Sequence, residues 1–170
     1  MKKVFLLVIL FVSFQFNTLS AQEEKYICLF IYNFTKHFDW PDEVKSGDFI
    51  IQVLGHKSVY SQLKEFTSTK KVGNQNIVVR GITDISEIAR CHIMFVGHWQ
   101  SRLLDDILDK IGNHPTLIVT EKEGLLELGS AINFIVMEGT IKFEFKKSNA
   151  SKHNLKFDPQ IIQMAVKVVD

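Results

Sequence analysis

The stretch Cys91-His92-Ile93-Met94-Phe95-Val96-Gly97-His98-Trp99 decides the fold. Four consecutive apolar residues closed by a glycine predict a strand buried on both faces, which is the environment at the middle of a parallel sheet covered by helices on both sides. Working outward, Phe49–Leu54 stopped by Gly55, Ile77–Arg80 and Leu117–Thr120 read as further short strands. Helical spacings separate them. Ser58–Phe66 carries Val59, Leu63 and Phe66 on one side, and Ser101–Ile111 carries Leu103, Leu104, Ile107, Leu108 and Ile111 before Gly112-Asn113-His114-Pro115 stops it. Asp84–Ala89 opens with an acceptor three residues before Glu87, a capping box for a short helix, and Lys122–Leu128 has room for one or two turns. Strands alternating with helices pair in parallel through right-handed crossovers.

Both ends of the chain extend this pattern. Glu23–Phe38 spaces Ile27, Phe30, Ile31, Phe34 and Phe38 as one helical stripe. Asp39-Trp40-Pro41 ends it, because the residue before proline is pushed out of the α region. Ile132–Met137 and Thr140–Phe145 flank Glu138-Gly139 as a hairpin. Asp158-Pro159 reads as the N-cap and first residue of a last helix running to Val169, with Ile161, Ile162, Ala165, Val168 and Val169 on its apolar face. The expected fold is α/β, a mostly parallel sheet with flanking helices and a C-terminal β-hairpin plus terminal helix. Residues 22–170 are expected to form one domain.

Residues 1–21 read as a cleaved signal peptide: Met1-Lys2-Lys3 is basic, Val4–Phe16 is apolar, and Ser20-Ala21 is a small-residue cleavage site. The apolar run is well short of the roughly 20 residues a membrane span needs. Those 21 residues hold two of the 20 lysines and arginines and none of the 19 acids, so residues 22–170 have 18 basic and 19 acidic side chains, net −1. This balance supplies no field for a nucleic-acid backbone. Cys28 and Cys91, far apart and without a CxxC spacing, predict two small buried thiols and no zinc site, although an exported chain would permit them to pair.

In open α/β sheets, ligands gather beyond the carboxyl ends of the strands, where strand order reverses. If the order is 2-1-3-4, His56 and His98 follow the two strands bordering that point, and Trp99 would roof a polar pocket completed by Thr120 and Glu121. The plainer alternative is that both histidines are solvated or cap helices. No nucleophile elbow, P-loop, dinucleotide fingerprint or helical metal-ligand pair occurs, so neither an enzyme nor a bound cofactor is expected. The terminal helix carries more apolar residues than one core stripe uses, which assigns Ile162, Val166 and Val169 to a partner or dimer surface.

The order of motifs along the chain resembles the YfiR-like family of small bacterial periplasmic proteins. The matching residues are Tyr26, Phe30, Phe34 and Phe38-Asp39-Trp40-Pro41, then Val53-Leu54-Gly55, Val78-Val79-Arg80, Cys91 to Val96 and Leu117-Ile118-Val119-Thr120. Gly129, Ile132-Asn133-Phe134, Gly139 and Ile141-Lys142-Phe143-Glu144 complete the series. The resemblance implies a non-enzymatic regulator that restrains a membrane-bound diguanylate cyclase by binding its periplasmic sensor region, and so limits cyclic-di-GMP signalling and biofilm formation. It also implies a disulfide from Cys91 to a cysteine after the first strand. No cysteine lies between Leu54 and Arg90, and Lys146 stands where the family has asparagine. Redox control is therefore not expected here. A small-ligand binding protein resembling half of a substrate-binding protein is the other expectation.

Overall fold

A computed structural model describes residues 22–170, so the expected signal peptide lies outside the described residues. Helix α1 spans residues 22–37. It is followed by β1 (Phe38–Asp39), β2 (Phe49–Leu54), α2 (Lys57–Thr67), β3 (Lys71–Val72), β4 (Gln75–Ile82), β5 (Ile93–Val96), α3 (Leu104–Ile111) and β6 (Leu117–Thr120). The last part holds β7 (Ile132–Met137), β8 (Thr140–Lys146), α4 (Lys147–Lys152), β9 (Lys156–Phe157), α5 (Pro159–Met164) and β10 (Lys167–Val169). The main sheet has the order β10-β8-β7-β6-β5-β2-β4-β3.

Five neighbouring strands of that sheet, β4-β2-β5-β6-β7, are mutually parallel. Numbered among themselves they run 2-1-3-4-5, so the order reverses between β2 and β5. That is the doubly wound arrangement. Alternate side chains feed two cores. Ile51, Val53, Ile93, Phe95, Leu117 and Val119 pack under α1 and α2, while Leu54, Met94, Val96 and Ile118 pack under Leu104, Ile107 and Ile111 of α3. All four residues of β5 are fully buried, as expected of a strand covered on both faces.

The aromatic stripe of α1 locks onto the hairpin. Phe143 of β8 meets Phe30 and Phe34 edge-on, with centroids 5.4 and 5.2 Å away. Trp40 is the fixed corner the following proline demands; it lies edge-on to Phe49 at 4.8 Å and donates from Nε1 to the His92 carbonyl. His92 is a structural residue. Its Nδ1 accepts from the Ile50 amide and its Nε2 lies 2.8 Å from the Val44 carbonyl, so burial with the proton on Nε2 holds it neutral. The hairpin turn places Glu138 and Gly139 both at positive φ, matching the twist of the strands it joins.

Two expectations need correction and a third is refined. The terminal helix stops at Met164: Ala165 is extended, the Val166 amide donates to the Phe143 carbonyl, and Lys167–Val169 pairs in parallel with β8. The open hydrogen-bonding edge of β8 outweighs the helical spacing of this β-branched segment. The one or two turns expected over Lys122–Leu128 run over residues 123–129, as hydrogen-bonded turns that do not close as a regular helix. The segment Asp84–Ala89 keeps its capping box but closes as a three-residue 3-10 helix, Ile85–Glu87.

Cys28 and Cys91 are free and buried, and they belong to the two different cores on opposite faces of the sheet. Burial pushes both thiols up to about 12. Because the thiolate is the reactive form, both should be inert toward thiol reagents at pH 8 in the native protein. Two per chain should react in denaturant without reductant. Finding none there would show that the pair is disulfide-bonded and the sheet misplaced.

Candidate functional site

Three central strands end at one level because their register aligns Leu54 with Val96 and Val96 with Thr120. The chain leaves all three at the same end of the sheet, and the next side chains, His56, His98 and Glu121, all line one cleft of about 590 Å³. Gly97 permits the close approach: a Cβ there would sit 3.0 Å from the Leu54 carbonyl oxygen and 3.2 Å from that of Gly55. Gly55 itself turns the chain at a φ of 72°, which favours glycine.

His56 caps α2, its Nδ1 accepting from the Val59 amide at 3.4 Å. This leaves the ring proton on Nε2, which lies 3.8 Å from Oε1 of Glu121. That separation is too long for a hydrogen bond and makes a through-space contact. The His98 backbone amide donates to the same oxygen at 2.6 Å, tying the loop after β5 to the loop after β6. Burial raises the Glu121 carboxyl above the usual carboxylate range; His56, the His98 amide and the His98 ring pull it down, and Glu24 pushes it up.

The structure brings His56, His98 and Glu121 to one cleft, while Trp99 and Thr120, expected beside them, lie elsewhere. Trp99 does not roof the pocket: it is 79% exposed, stands edge-on to the His98 ring and is not among the lining residues. Thr120 is fully buried, its Oγ1 lying 2.9 Å from Ser130 Oγ and 2.8 Å from Asn133 Oδ1, because strand alternation turns it away from the α1 face. The remaining lining comes from parts of the chain that local motifs do not mark. Glu23, Glu24 and Ile27 come from α1, Lys122 and Glu123 from the loop after β6, and Phe134, Ile135, Val136 and Ile141 from the hairpin. Strand length was the available signal, since a hairpin with six- and seven-residue arms beside four-residue strands must overhang them. β6 pairs only with Ile132 and Asn133, so Phe134–Met137 project beyond it.

Ile162, Val166 and Val169 lie apart from this cleft. Ile162 (37%) and Val166 (43%) are exposed, whereas Val169 is half-buried in β10. Among the described residues no group of three His, Cys, Asp or Glu side chains is placed to hold a metal ion, and no helix is long and apolar enough to cross a membrane.

Fold and cleft together define a doubly wound α/β domain with an acidic-rimmed, apolar-walled crevice at its switch point. The chain belongs to the YfiR/HmsC-like family, whose model matches residues 25–166. Among solved structures it is similar to one from Streptococcus pneumonia described as the ABC domain in complex with L-Trp, at 11% identity and a TM-score of 0.52. The alignment covers 71% of this chain and 55% of that one, so the chain spans about half the length of that structure, and the likeness shows the fold alone. No curated protein matches the chain significantly.

A carboxyl whose folded value is raised binds a proton more readily in the folded than in the unfolded state, so its ionisation costs stability as pH rises through the folded value. Glu121→Gln keeps an oxygen to accept from His98. It should therefore raise the melting temperature at pH 8, with the gain shrinking as pH falls and the wild-type carboxyl takes up its proton. A variant less stable than wild type at pH 8 would show that the ionised Glu121 is a net stabilising contact.

Proposed function

We propose that the chain is a periplasmic regulatory protein that binds and restrains the periplasmic sensor region of a membrane signalling protein, a diguanylate cyclase or a similar enzyme, and thereby limits cyclic-di-GMP signalling. Membership of the YfiR/HmsC-like family over residues 25–166 carries this reading. The signal-peptide pattern of residues 1–21 supports export. Among the described residues, the polar groups lining the cleft are carboxylates, two imidazoles and one ammonium, without a hydroxyl or thiol, a set that suits binding better than nucleophilic catalysis.

Ile162 and Val166 supply a contact surface for the sensor region or for a second copy of the chain. They are exposed apolar side chains on α5 and on the link to β10, at the edge of the sheet, with Val169 beside them in the edge strand. A second reading, small-ligand binding in the cleft, is favoured by one observation: about 590 Å³ at the switch point is the size and place of a ligand pocket.

Burying one such valine in an interface is worth about 1.5–3 kcal/mol, or roughly tenfold in affinity and more. Val166→Glu should therefore weaken capture of a membrane protein from envelope fractions, or dimerisation measured by sedimentation, by at least about tenfold while the thermal melt stays unchanged. Unchanged association would remove this segment from the contact surface, and an unfolded variant would show Val166 to be core. A wild-type chain that captures no membrane protein would count against the regulatory reading itself.

A further inference from the structure

The cleft joins an apolar wall to an acidic rim. Its walls are apolar, with Ile27 of α1 facing Phe134, Val136 and Ile141 of the overhanging hairpin, and Val136 is 60% exposed. Met137, next along the projecting strand and 49% exposed, points to the opposite face of the hairpin, so Val136 is the exposed apolar residue of the wall. An exposed apolar side chain at the mouth of an apolar-walled cleft is available to a partner.

The rim is acidic. Among the described residues, Glu23, Glu24, Glu121 and Glu123 line it against one ammonium, Lys122, although residues 22–170 as a whole are only one charge negative. Two of these carboxylates are engaged within the fold, Glu24 accepting from Gln62 Nε2 at 2.6 Å and Glu121 from the His98 amide. Among the described residues, Glu23 and Glu123 form no ion pair. Like charges gathered at the mouth of an apolar groove repel one another, and a cation entering between them removes that cost.

We propose that this cleft docks a segment of a protein partner that carries Lys or Arg beside apolar side chains. The apolar side chains pack on exposed Val136, above the nearly buried Phe134 and Ile141, and the cation meets Glu23 and Glu123. The proposal rests on the reading of the chain as a protein-binding regulator and adds a contact at the carboxyl end of the sheet, separate from Ile162 and Val166.

The test uses fluorescent peptides of equal length and apolar content that carry lysines, glutamines or glutamates, titrated into the mature chain by anisotropy. The lysine peptide should bind about tenfold or more tighter than the glutamine peptide, weaken as salt rises, and outbind the glutamate peptide further still. Paired Glu23→Gln and Glu123→Gln substitutions should weaken it roughly fivefold or more, and Val136→Ser should weaken the lysine and glutamine peptides alike. Glu65→Gln, an exposed charge near the other end of α2, should change nothing. Absence of lysine-peptide binding, equal binding of lysine and glutamate peptides, or full binding by the Glu23 and Glu123 variant overturns the proposal. The same cleft variant capturing a membrane partner as well as wild type also overturns it, while leaving the regulatory reading standing. That reading fails separately if the wild-type chain captures no such partner.

Discussion

The structure depends on covering β5, and the strands beside it, on both faces. A strand whose four side chains are all apolar and fully buried needs a layer above and a layer below, and parallel pairing with crossovers on opposite faces supplies both. α1 and α2 take one face and α3 the other. Once that is settled, the crossover from β2 to β4 and the one from β5 to β6 leave in opposite directions, and the loops after β2 and β5 part at one end of the sheet. The place of the cleft is thus a consequence of core packing.

The shape of the cleft has a second cause. Phe30 and Phe34 of α1 pack edge-on against Phe143, and Phe34 lies 6.0 Å from Phe134, so helix and hairpin are held together below the opening. Contacts of this kind contribute about 0.5–1.5 kcal/mol each beyond their buried area. The hairpin arms run past the end of β6 and leave Val136 and Met137 without a neighbouring strand on that side. The apolar wall therefore stands on a rigid base. On the outer side of the same hairpin, β10 covers the edge of β8 and brings Val166 to the surface.

Much of the fold was legible in the sequence because its strands carry strong local signals. Phe49–Leu54, Ile93–Val96 and Leu117–Thr120 have the bounds their apolar runs and closing residues imply, and Glu138-Gly139 names its own turn. The tail was not legible, because Ile161, Ile162, Val168 and Val169 fit a helical face as well as a short helix followed by a strand. Only the distant edge of β8 decides between them. The short elements β3, α4 and β9 carry too few residues to show a period. In the cleft, His56, His98 and Glu121 each follow a strand end, so the strand pattern alone places them near one another. Glu23, Glu24, Val136 and Ile141 arrive from both ends of the chain, and neither Trp99 facing outward nor Thr120 facing inward is fixed by its place in the sequence.

Restraint of a membrane cyclase by contact, the function proposed above, has a direct consequence in the cell. Cellular cyclic-di-GMP measured after deletion of the gene tests it most directly. The level should rise, and the full-length chain should reverse the rise while a chain lacking residues 1–21 does not, because under this function the latter never meets the sensor region. A level unchanged by deletion, or restored equally by the chain without its first 21 residues, would contradict it.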